Sequence, residues 1–177
     1  ITNGVTFTNS GGLMLGNQPG DNLLFDGGVD TGTNAVSAAG TVRTSNDSMT
    51  LGAVTLGAGA TLSAGTGTIT FTSTIAAGAS NLTITGDDVD LVGNVTGTGG
   101  TVTIQPGDPT RDIILGGTGP GALVLTAADL GLLQDGFGGI VLGHANGSGA
   151  VTIASALSFS DPVTIRSPSG GTIAVNG

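Results

Sequence analysis

Few residues in this 177-residue chain can do acid–base, nucleophilic or metal chemistry: twelve aspartates, the arginines Arg43, Arg111 and Arg166, and His144. There is no lysine, glutamate, cysteine, tryptophan or tyrosine. Two fragments, Gly86-Asp87-Asp88 and Gly143-His144, are of the kind that could cleave a polysaccharide, where paired carboxylates work beside a histidine and a cation. The match stops there. A third acidic signature and a basic Arg-Ile-Lys signature are missing, and 56 residues separate Asp87 from Gly143. No tyrosine or tryptophan is present to stack on a sugar ring. The expectation is a protein that is not an enzyme, with no catalytic, cofactor-binding or metal-ligating residue assigned and no cofactor.

The remaining polar constellations read the same way. Asp87, Asp88 and Asp90, or Asp26 with Asp30, could offer oxygens to calcium, but calcium takes six to eight oxygens from a loop with fixed acidic positions, and no such loop is present. Aspartate is common in turns because its carboxylate bonds nearby backbone N–H groups, so exposed turn residues are expected. His144, between Gly143 and Ala145, has no second histidine to join and reads as a solvated loop residue. Arg111 lies between Asp108 and Asp112 and reads as part of a surface ion cluster. Threonine pairs and runs (Thr68/70/72/74, Thr83/85, Thr101/103) could begin a flat water-ordering or ice-binding row. Asp90 and then Ile113 with Ile114 interrupt that row. Asn46, Asn81, Asn94 and Asn146 open Asn-x-Ser/Thr sites, which matter only beside a glycosylation machinery. A formal net charge of −9 with three arginines excludes a phosphate-binding surface, hence nucleic acid.

What would position these residues is a succession of short strands. Bursts of three to eight residues rich in Val, Ile, Leu and Thr recur from Val5 to Val175, each bounded by Gly, Asn, Asp or Pro. Within Thr68–Ile75 the threonines alternate with Ile69, Phe71 and Ile75, the period-2 pattern of a half-buried strand. From Val102 onward the strand centres recur about every 11–12 residues, and two such intervals make the ~20–24 residues of one solenoid coil. A sandwich would also fit that spacing. Three features favour a solenoid: Asn-Gly hairpin turns are scarce, aromatic residues are 3% of the chain, and glycine reaches 35 residues. The fold expected is all-β, a right-handed parallel β-helix of about eight or nine coils in a single domain over residues 1–177. One short helical or loop insertion is expected near 126–136, with Thr126 as N-cap and Gly136 as its close.

The run Leu125-Thr126-Ala127-Ala128-Asp129-Leu130 … Leu133-Gln134-Asp135-Gly136-Phe137, with Ile140–Gly143, Gly149–Ile153 and Phe159–Pro168, resembles a recurring segment of the filamentous-haemagglutinin-like exoproteins of bacteria, including cyanobacteria. The similarity covers about residues 123–176, and the first 120 residues match in style only. The resemblance implies a β-helix passenger exported across the outer membrane into a surface fibre or adhesin; the secretion domain of that family is not visible in the sequence. No apolar run approaches the ~18 residues of a membrane span, so no membrane insertion is expected. Absence of cysteine argues against a disulfide-stapled miniprotein. With no lysine, three arginines leave trypsin-like proteases little to cut, which favours an extracellular, secreted or cell-surface setting. Both ends look like strands without a polar cap, which points to strand pairing with neighbouring solenoid segments or to a head-to-tail homopolymer. Eight or nine coils at ~4.8 Å make a unit of ~40 Å. The expected function is a structural segment of an extracellular bacterial fibre or adhesin. The alternative is a module that binds a glycan, a cell surface or ice through one solenoid face.

Overall fold

A computed structural model describes residues 1–177. The chain winds into a parallel β-solenoid whose coils have three faces. The first coil is β1 (Val5–Thr6), β2 (Leu13–Leu15) and β3 (Asn22–Phe25), one strand per face. The second is β4 (Val29–Asp30) and β5 (Val36–Thr44), and the third is β6 (Met49–Leu51) and β7 (Val54–Ser63). β5 and β7 each run across the corner between the second and third faces, and β5 bends there at Gly40, whose φ is +70°. A Cβ at Gly40 would run into the carbonyls of Gln18 and Asp21, so glycine is required both by conformation and by space. The fourth coil is β8 (Thr68–Phe71), β9 (Ile75–Gly78) and β10 (Leu82–Thr85). The fifth is β11 (Asp88–Leu91), β12 (Val95–Gly97) and β13 (Thr101–Gln105).

Alternation aims one side of every strand at a common core, and the parallel register stacks like on like. Val29, Met49, Ile69 and Val89 form one inward column at a step of 20 residues, read off directly from the pairings. Val36, Val54, Ile75 and Val95 form another, and Val42, Leu62, Ile84, Ile104, Leu142 and Ile165 a third. All but Ile165, which is partly buried and packs against it, belong to a continuous core of 34 buried residues. Each fully buried aliphatic side chain contributes about 1.5–3 kcal/mol, so the solenoid is stable by repetition of a thin core.

The sixth coil is irregular. β14 (Asp112–Leu115) and β15 (Ala122–Leu125) both lie on the first face, paired in parallel with Asp112 opposite Ala122 and Leu115 opposite Leu125. Their spatial order is the reverse of their chain order. β15 lies beside β11, and β14 pairs onward with β17 (Val151–Ile153), which pairs with β19 (Ile173–Val175). The connection Gly116–Gly121 therefore runs back over the outside of β14, where Cβ atoms at Gly117 and Gly119 would strike the Ile114 side chain. The second face of this coil is a single helical turn, α1 (Ala127–Gly131), followed by a lone bridge from Leu133 to Val95. β16 (Gly139–Leu142) and β18 (Val163–Ile165) continue the third face.

The segment expected near 126–136 is thus a replacement for one strand of a coil, with Leu130 and Leu133 in the core. Thr126 caps α1 through a capping box with Asp129, but the helix closes at Leu132 and not at Gly136. Gly136, at φ +123°, packs tightly against the carbonyl of Gly97 one coil below. The stretch Thr68–Ile75 is two strands with a corner at Thr72–Thr74; Ile69, Phe71 and Ile75 all face the core as expected. No helix is long and apolar enough to cross a membrane.

Candidate functional site

The strands end at corners, and the corner between the third and first faces gathers most of the ionisable chemistry. Asp87 sits there 8% exposed. Its Oδ1 accepts from the backbone N–H of Gly107 at 2.9 Å and of Asp108 at 3.2 Å, one coil higher, while Oδ2 lies 3.4 Å from Nη1 of Arg111. Asp87 is therefore a buried corner clamp and not an exposed turn residue. Arg111 reaches down to Asp87 and forms no ion pair with Asp112, whose Oδ1 accepts from Ala150 N at 2.7 Å. Asp108 accepts both the N–H and the hydroxyl of Thr110 at 2.8 Å, and these bonds hold its carboxyl below the usual carboxylate range. Of the cluster expected around Arg111, the guanidinium pairs with Asp87, outside it, while its charge also helps to lower the Asp108 carboxyl.

His144 stands one level above, half-buried, with Nδ1 accepting the N–H of Asn146 at 3.0 Å. Arg166 lies above it and donates from Nε to the Gly143 carbonyl at 3.0 Å. Arg111, His144 and Arg166 share a space of about 10 Å³ with backbone of Gly147 and Gly149, room for about one water. Arg111 Nε is buried there without a hydrogen-bond partner. Asp87 and His144 thus occupy the same corner, with the Arg111 level between them. Both oxygens of Asp87 are already engaged, so the pair makes no carboxylate–histidine couple aimed at a substrate.

The other aspartates disperse. Asp88 and Asp90 point outward from β11, away from Asp87. Asp30 turns back to the N–H of Gly32 at 2.7 Å, and Asp26 does not join it. No three His or Asp side chains come together as a metal-ligating group. Asp21, half-buried, accepts the N–H groups of Asn17 and Gln18, which hold its carboxyl below the ordinary range.

The threonines separate by face. Thr68 and Thr70 lie on the first face, where Thr50 and Thr70 continue into Asp90. Thr83 and Thr103 lie on the third, where Thr41, Thr61, Thr83 and Thr103 stand in register on four successive coils before Val141 takes the next place. A single row through all the Thr-x-Thr pairs therefore does not exist. The column on the third face is flanked by Arg43, Ser63, Thr85 and Gln105.

Sequence reasoning missed one recurrent device. Asn46 Oδ1 accepts from Thr66 N, Asn81 Oδ1 from Thr101 N, and Asp87 Oδ1 from Gly107 N, each across a separation of 20 residues. A corner side chain of one coil thus satisfies a corner N–H of the next, where the β-ladder has stopped. The 20-residue offset was the available signal. Asn94 and Asn146 are exposed and make no such bond. No protein-family model, no curated protein and no solved structure matches the chain.

Proposed function

We propose that this chain is a structural segment of an extracellular bacterial surface fibre or adhesin, non-enzymatic, which joins neighbouring segments or further copies by strand pairing at the ends of the solenoid. The observation that carries the reading is the state of the terminal strands. β1, β2 and β3 at one end, and β18 and β19 at the other, each pair on one side only. Exposed apolar residues sit at both ends: Met14 at 63%, Ile173 at 48% and Val175 at 67%. Unpaired parallel edges of equal coil geometry are templates for one another, and a contact between unlike ends that does not close on itself propagates as a filament. The resemblance over residues 123–176 and the scarcity of protease-sensitive cations support the same setting.

Electron microscopy of the purified chain over a range of concentrations tests it. Filaments with an axial repeat near ~40 Å are expected. Val175→Pro removes an edge N–H and should abolish them while leaving the protein folded. Dispersed particles at every concentration overturn head-to-tail assembly. A second reading, a module binding ice or a surface glycan through one face, has the four-coil threonine column in its favour. Binding retained by dispersed particles and lost in Thr61→Lys would select it.

A further inference from the structure

We propose that the solenoid contains an opening joint between β11 and β15, hinged on its third face. The pairing pattern sets up the argument. On the first face, each inward residue donates its N–H to the next coil: Val29 to the Ser48 carbonyl and Thr31 to the Thr50 carbonyl. Each outward residue donates to the coil before it, as Val92, just past β11, does to the Phe71 carbonyl. By that rule the N–H groups of Val89 and Leu91 should donate to β15. No ladder joins the two strands: the sheet of the first five coils ends at β11, and a separate sheet begins at β15. The natural donor to the Leu91 carbonyl is also committed elsewhere, since the N–H of Thr126 donates to Asp129 Oδ2 at 2.8 Å in the helix cap.

The same level is thin on the second face, where the strand ladder shrinks to the one bridge between Val95 and Leu133. Only the third face carries a full ladder across, with Thr101–Ile104 opposite Gly139–Leu142. β15 is also a surplus rung. The first face holds nine strand levels against seven on the third; one of the two extra levels is β19, the last strand of the chain, and the other is the doubled level of β14 and β15. An additional level on one face of a stack must either tilt the upper coils or stand apart from the strand below, and the missing ladder is where that mismatch collects. Side chains close the seam from inside, with Val89, Leu91, Leu123 and Leu125 all buried. Between β11 and β15 themselves the seam is held by apolar packing without a ladder. Asp87 ties the corner before β11 to Gly107, Asp108 and Arg111, and backbone bonds from Val95 to Leu132 and from Gly99 to Gly136 cross on the second face. The seam therefore opens and closes by a change in tilt about those ties while the third face stays joined.

The ten-residue offset between β14 and β15 supplies a specific variant. Deleting residues 116–125 lets Asp112–Leu115 take the place of Ala122–Leu125 and enter Thr126 as β15 does now. In the full chain, the amides of Val89 and Leu91 should exchange with solvent at least ~100-fold faster than those of Ile69 and Phe71, which occupy the same places one coil below. Equal protection would overturn the open seam. Because the chain has no cysteine, spin labels can be placed cleanly. A pair at Thr50→Cys and Thr152→Cys on the first face should give a broad distance distribution. A pair at Thr83→Cys and Thr164→Cys on the third face should give a narrow one, and the deletion should narrow the first. Two equally narrow distributions in the full chain would overturn the joint, whether or not the deletion variant folds.

Discussion

Asp87 shows how much a single corner residue carries. Its two oxygens serve two backbone N–H groups and a guanidinium, at a place where the strands have ended and no carbonyl is left to accept. Asp87→Ala should cost about 2–4 kcal/mol in chemical denaturation, because it strands buried donors as well as an arginine. Asp108 makes a separate prediction. Its folded pKa is lowered by Thr110, so its contribution is complete above the unfolded value near ~4 and is lost as pH falls through the folded value. The melting temperature of the native chain should therefore fall below pH ~4 more steeply than that of Asp108→Asn. Parallel curves would show that the Thr110 bonds do not stabilise the fold. None of this is legible residue by residue, because an aspartate that caps a neighbouring coil and one that merely turns the chain look alike in sequence.

The elements were largely legible, since alternation in Leu82–Thr85 or Thr101–Ile104 leaves little choice of conformation or of inward face. The failures have physical causes. Thr68–Ile75 reads as one strand because threonine suits the corner at 72–74 as well as the strands on either side. Val95–Gly97 offers a single large apolar residue ahead of a glycine and so does not register, and β4 hides between glycine and threonine turns. β14 and β15 carry the same pattern, Asp-Ile-Ile-Leu and Ala-Leu-Val-Leu, so nothing in the sequence says that the later strand lies below the earlier one. The one helical turn was visible through Thr126 and Asp129, and its cap is a direct point of attack. Thr126→Ala should cost about 0.5–2 kcal/mol, read as a shift in denaturation midpoint at unchanged slope. A neutral result would mean that Leu130 and Leu133 hold the turn in place without the cap.

At the scale of the whole molecule, stability is a sum over neighbouring coils, so position along the stack matters as much as residue type. Leu62 is fully buried between two complete coils, whereas Ile165 sits near an end and is only partly buried. Leu62→Ala should cost about 2–5 kcal/mol. Ile165→Ala should cost less, and in hydrogen exchange its effect should stay confined to the last coils. Equal and global effects would mean that the molecule unfolds as one indivisible unit.

The 20-residue step of the inward column Val29–Met49–Ile69–Val89 also constrains how such a chain can change in length. One residue gained or lost inside a strand exchanges its wet and dry sides from that point to the next corner. A slip at a corner can be absorbed, and the uneven intervals of the later coils show several that were. Whole coils can be copied or dropped without disturbing any register. The viable lengths of this architecture are therefore nearly discrete, as in a ladder whose rungs are added one at a time. The repeated pattern of β14 and β15 is what a rung copied alone, without the rest of its turn, would look like.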